Sequence, residues 1–201
     1  WSTDIPGGGT SVVPRAAASG LPEPGLRRQM WLATSHSNSG VLYALIVNQE
    51  VVGQARPGQL DRLGLLVTEN LRKGPEIYRS TDQGRSWRKT SRTDDQVLNP
   101  PSGGWTSQIL VDARDENTIY TLGVQLKVSH DAGRTFQLVP TGHPDHQGLW
   151  LDPARPSVMY DCNDGGLYLS EDGGSVWTFA PAPTTEVYNV ALDTATPFHA
   201  Y

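Results

Sequence analysis

Short apolar runs punctuate the chain, and within them hydrophobic and polar side chains alternate. Between residues 148 and 180 they read "GLWLD", "VMYDC", "GLYLS" and "VWTFA". Leu167 and Leu169 point one way and Tyr168 the other, just as Leu126 and Val128 flank Lys127. A period of two marks strands packed on one face of a sheet. One stretch departs from it. "LDRLGLLVTENL" (60–71) fits a short amphipathic helix or an extension of a strand.

The runs recur as a unit. Ser-x-Asp-x-Gly-x-x-aromatic occurs as "STDQGRSW" (80–87), "SHDAGRTF" (129–136) and "SEDGGSVW" (170–177). Its aspartates, Asp82, Asp131 and Asp172, are 49 and 41 positions apart. A second landmark, the aspartate ending "QILVD", "LWLD" and "VALD", falls at Asp112, Asp152 and Asp193, in steps of 40 and 41. Tyr120, Tyr160 and Tyr201 each follow eight positions later. A less regular copy, "QMWLA" then "VLYALIV" with Tyr43, stands ahead of the first motif.

A unit of about 40 residues with four short strands has the size of a propeller blade. The expected fold is therefore all-β: about three four-stranded blades plus the start of a fourth, a piece of a larger propeller. The blades span 29–92, 105–140 and 146–181, with the next starting at 186–201. Residues 1–28, rich in Pro and Gly, read as a linker or irregular segment. From Tyr43 to Ser80 there are 37 positions, against 9 and 10 in the later units, so 48–75 is an insertion between second and third strands. Insertions on a propeller rim commonly build binding surface; a loop without a role is the alternative.

The repeated motif falls between third and fourth strands, which makes it a hairpin loop. Ser80, Ser129 and Ser170 support the loop beside Asp82, Asp131 and Asp172, whose carboxylates accept backbone N–H groups. Gly84, Gly133 and Gly174 supply a positive φ. Trp87, Phe136 and Trp177 restart the chain, each expected to be largely buried beneath its turn. Repetition at blade spacing makes these residues architecture.

Composition narrows the function. Twenty-one Gly and 15 Pro with 18% charged residues suit a turn-rich β protein. A net charge of −5 argues against nucleic-acid and anionic-membrane binding, and no apolar run is long enough to span a bilayer. The single Cys162 excludes an internal disulfide and a cysteine-based zinc site; it reads as a small apolar core residue.

The three motifs resemble the Asp-box, or bacterial neuraminidase (BNR) repeat, of sialidases, xyloglucan-hydrolysing enzymes, sortilin-type receptors and photosystem-assembly propellers. "HPDHQGLWLDPARPSVMYDCNDGGLYLSEDGG" is similar to large secreted bacterial BNR-repeat, glycosyl-hydrolase-like or sortilin-like proteins. The resemblance covers roughly residues 29 to 201 and implies an extracytoplasmic, secreted or periplasmic, protein.

Candidate chemistry gathers near the third blade. Asp145 and His146 precede a first strand, the innermost of a blade, and with His143 could bind a metal or move a proton; a loop held by polar side chains is the alternative. Xyloglucan-hydrolysing relatives carry a catalytic aspartate in an Asp-x-Gly-Gly turn. Asp164 sits in a shorter Asp-Gly-Gly turn and also reads as a plain turn aspartate. A glycosidase needs a second carboxylate about 5–9 Å away, here Asp145 or one in further blades. A sialidase needs an arginine cluster, whereas Arg27, Arg28, Arg85 and Arg134 fall at surface-turn positions. No cofactor is expected and no metal site is assigned. The expected function is a non-catalytic module that binds protein or glycan or scaffolds an assembly, its partner being another protein or further blades. The alternative is a glycoside hydrolase fragment. With its last blade incomplete, the segment is not expected to persist alone as a soluble monomer.

Overall fold

The computed structural model describes residues 19–59, 70–92, 97, 107–181, 193, 195 and 196. They form three four-stranded antiparallel sheets, each ordered as the strands follow in sequence. The first comprises β1 (Arg27–Thr34), β2 (Leu42–Gln54), β3 (Asn70–Ser80) and β4 (Arg88–Lys89). The second comprises β5 (Gln108–Val111), β6 (Ile119–Leu122), β7 (Lys127–Ser129) and β8 (Gln137–Leu138). The third comprises β9 (His146–Leu151), β10 (Met159–Asn163), β11 (Gly166–Ser170) and β12 (Thr178–Ala180). This is the arrangement of propeller blades.

The sheets pack face to face, and two clusters hold them. Val41, Tyr43, Leu45 and Ile77 of the first blade meet Ile109, Val111 and Ile119 of the second. Tyr120, Leu122, Leu126 and Val128 of the second meet Leu149 and Met159 of the third. Burying these side chains, each worth about 1.5–3 kcal/mol, drives the blades together. Polar ties follow the same seams: Tyr43 donates to Glu116 O at 2.7 Å, and Arg114 Nη2 to Ala154 O at 2.8 Å.

Each repeated motif builds the same loop. Ser129 donates to Asp131 Oδ1 at 2.8 Å and accepts from Gly133 N at 2.9 Å. Asp131 Oδ1 accepts from Arg134 N and Thr135 N at 2.9 and 2.8 Å. Ser80 and Ser170 bond to Asp82 and Asp172 in the same way, and Asp172 accepts from Ser175 N and Val176 N. Two consecutive residues take positive φ in every copy: Gln83 and Gly84, Ala132 and Gly133, Gly173 and Gly174. This reversal aims the first residue's N–H at the turn joining the blade's first two strands. Gln83 N donates to Gly40 O, Ala132 N to Asn117 O, and Gly173 N to Ser157 O, at 3.0, 2.8 and 2.9 Å. The second landmark aspartates organise that turn. Asp112 Oδ1 accepts from Arg114 N, and Asp152 Oδ1 from Ala154 N, both at 2.8 Å.

Trp87, Phe136 and Trp177 each pack against a core cluster and keep a part in solvent. The two indoles also donate to Gly84 O and Gly174 O of their own turns. Three expectations change. Cys162 is exposed and not in the core, since β10 turns Met159, Asp161 and Asn163 inward and Cys162 outward. Arg27 and Arg28 lie in β1 and not in a turn. Within 1–28, residues 19–28 are structured: Ser19 bridges Ser86, Pro24–Leu26 form a 3-10 turn, and Leu21 packs on Ala44, Ile46 and Tyr78.

The insertion lengthens β2 and β3 into a two-stranded arm. β1 reaches β2 only as far as Asn48, whereas β3 pairs it out to Gln54 with Asn70. The possible helix at 60–71 lies outside the described residues, except that Asn70 and Leu71 belong to β3. The first strand expected in a fourth blade, 187–193, lies outside them save for Asp193.

Candidate functional site

The antiparallel weave places the starts of first strands and the turns between second and third strands on one rim, opposite the motif loops. His146 opens β9 on this rim. Asp145 before it takes φ 62°, and the two backbone N–H groups donate to Val124 O and Gly123 O at 3.1 and 2.9 Å. The chain is thereby stapled to the β6–β7 turn of the neighbouring blade.

That kink sends the His146 side chain inward, where it is 1% exposed. Its Nδ1 lies 2.9 Å from both oxygens of Asp161, which is fully buried. Asn163 Nδ2 donates to Asp161 Oδ2 at 2.9 Å, and Asn163 Oδ1 accepts from Gly165 N. On the far side, the Thr141 hydroxyl lies 3.3 Å from His146 Nε2. A carboxylate holding Nδ1 fixes the imidazole's orientation and leaves Nε2 facing a hydroxyl, the order of groups used in nucleophilic catalysis. Here the imidazole is sealed, and its hydrogen bonds tie the loop at 141–146 to β10.

The sequence-predicted candidates separate. His146 turns into the blade, while His143 stays exposed, its Nδ1–H directed to Pro144 O at 3.1 Å. Asp145 is half-buried. Asp164 is exposed in the β10–β11 turn and accepts from Gln147 Nε2 at 3.4 Å. The group that pairs with His146 is Asp161, which the sequence reading passed over. The available signal was a charged residue at an inward position of "VMYDC", since a buried charge demands a partner. Among the described residues no group of three or more His, Cys, Asp or Glu side chains is placed to hold a metal ion.

A second buried network lies at the root of the arm. Glu76 is 3% exposed and accepts from Asn48 Nδ2, the Tyr78 hydroxyl and Lys89 Nζ. Burial alone would raise its carboxyl pKa, but the Lys89, Asn48 and Tyr78 donors hold it below the usual value. Burial, with the Glu76 charge beside it, raises the Tyr78 hydroxyl.

Repeated loops on stacked four-stranded sheets define a segment of an Asp-box β-propeller. The BNR/Asp-box repeat model matches residues 78–89, which hold the first motif. No curated protein matches the chain by sequence. Among solved structures, an ancestral GH74 enzyme is similar over 81% of this chain and 19% of its own, at 17% identity and TM-score 0.51. The GH74 enzyme of Niastella koreensis is similar over 74% and 22%, at 20% identity and TM-score 0.48. YCF48 bound to a D1 peptide is similar over 80% and 46%, at 12% identity and TM-score 0.45. The chain therefore spans less than half the length of each of these proteins. The first likeness carries the fold alone.

Proposed function

We propose that this chain is a non-catalytic, extracytoplasmic propeller module that binds a partner protein and scaffolds a larger assembly. The observation that carries this reading is the β2–β3 arm. Beyond Asn48 it is a two-stranded ribbon, with Val51 and Val52 exposed. Among the described residues no third strand pairs with this ribbon, and an extended segment of a partner adds to a sheet edge through main-chain hydrogen bonds. A glycan is a further ligand class for the same rim. Displayed extended peptides selected on the full chain test the reading: binders should lose affinity for a variant whose arm, residues 50–73, is replaced by a short turn. Binding that survives intact would remove the arm from the function.

The second reading, a glycoside hydrolase fragment, is favoured by the exposure of Asp164 on the rim. Its partner carboxylate would be Asp145 or would come from further blades. Assay on xyloglucan and sialylated glycans separates the readings: turnover abolished by Asp164→Asn would establish the hydrolase and overturn the binding module.

A further inference from the structure

Residues 19–22, ahead of the first strand, lie on the first sheet as a bound peptide would. Their floor is formed by Ala44, Ile46 and Tyr78, all buried, with Trp87 packed alongside. Four consecutive residues are engaged, each in a different way. The Trp87 N–H donates to Ser19 O at 2.9 Å, and Ser19 bridges Ser86 in parallel. Gly20 takes φ 94°, and a Cβ there would stand 1.9 Å from Trp87 O. No side chain fits at that position. Leu21 packs on Ala44, Ile46 and Tyr78. Arg27 Nε donates to Pro22 O at 2.6 Å. The chain then turns through Pro24–Leu26, with Leu26 N donating to Glu23 O at 2.9 Å, and enters β1.

We propose that this seat is a peptide-binding groove for an extended Gly-Leu segment of a partner protein, and that Ser19–Pro22 occupies it as the chain's own latch. The seated segment displays the chemistry that the groove reads. Trp87 N and Arg27 Nε take two main-chain carbonyls, and the tight approach of Trp87 O admits only glycine. Ala44, Ile46 and Tyr78 then receive one leucine-sized side chain. Main-chain bonds for affinity and one side-chain pocket for selectivity are how extended peptides add to sheets. A stretch that merely led into β1 would need neither the left-handed glycine nor the parallel bridge. Little holds it down: Ser19 and Gly20 are exposed and Leu21 is half-buried, so the segment is among those that open at low cost. A competing segment with the same pattern can then take its place. The groove is separate from the β2–β3 arm; it rests on the binding-module reading for its use and not for its geometry.

The test uses the full chain, isotope-labelled for NMR, and a synthetic peptide of residues 17–23, "AASGLPE". In the wild type the latch competes with the added peptide. Gly20→Val releases it, because valine neither adopts this φ nor clears Trp87 O. The Trp87 amide resonance of the variant should shift saturably with the peptide, at an apparent affinity at least about tenfold tighter than in the wild type, since the groove is no longer closed. A peptide carrying the same Gly20→Val change should not bind. Leu21→Ala in the chain loosens the latch without straining the backbone. It should give an intermediate affinity, which keeps the test decisive if Gly20→Val unfolds. Equal affinity for the wild type and both variants would overturn the proposal, as would no binding to either variant. So would binding lost when arm residues 50–73 are replaced by a short turn, which would place the peptide on the arm.

Discussion

His146 and Asp161, fifteen positions apart in sequence, meet inside the third blade with Nδ1 2.9 Å from each carboxylate oxygen. The pair joins the start of the blade's first strand to the end of its second, and Asn163 bonds to the same carboxylate. Removing one member leaves buried donors without an acceptor. Asp161→Ala should therefore destabilise the protein by on the order of 3 kcal/mol in urea unfolding. Unchanged stability with loss of a catalytic turnover would instead make the pair chemical machinery.

Ser129 holds its motif loop from inside, where it is 1% exposed. Ser129→Ala strands the Gly133 N–H in a buried turn and should cost about 1–3 kcal/mol. Thermal or urea unfolding measures it, and a neutral substitution would mean that the hydroxyl does not hold the loop.

Gln83 takes φ 60° at the position where the third motif has Gly173. A non-glycine residue there carries a left-handed strain of roughly 1–2 kcal/mol, offset partly by the greater freedom glycine adds to the unfolded chain. Gln83→Gly should raise the melting temperature slightly, whereas Gly173→Gln should lower it. The opposite pair of signs would refute the strain argument.

The motif carboxylates set an acid limit. The Ser86 hydroxyl and backbone N–H lower the Asp82 pKa from 3.8 to about 2. Burial opposes the shift at Asp131, but the backbone N–H and hydroxyl of Thr135 outweigh it and also bring it to about 2. The Val176 N–H and the Ser170 hydroxyl lower Asp172. Folded values below the unfolded value mean that the stability contributed is present above pH 3.8 and is lost as pH falls through about 2. The melting temperature should fall between about pH 5 and about pH 2, less steeply in Ser86→Ala and Thr135→Ala variants. Equal slopes in the variants would assign the acid sensitivity elsewhere.

Much of the fold is legible in one dimension. The alternation around Leu167, Tyr168 and Leu169 marks β11, and the spacing of Asp112 and Asp152 marks successive first strands. The arm shows as a longer interval between Tyr43 and Ser80. The candidate site was less legible. Asp145, next to His146 in sequence, drew the eye, yet the partner is Asp161 on the adjacent strand. No local pattern marks Glu76, on which Asn48, Tyr78 and Lys89 converge.

By itself the sequence determined what is local and periodic: strand spacing, motif loops, and the turn aspartates that cap neighbouring N–H groups. Those bonds close within about four residues, so the pattern that encodes them can be read directly. Only the tertiary structure decided which buried charges pair, that Cys162 faces outward, and that Trp150 stands open while Tyr43 and Tyr120 are covered. Each of these depends on side chains brought together from distant strands and blades. Their burial is set by what packs against the sheet, and no periodicity along the chain records that.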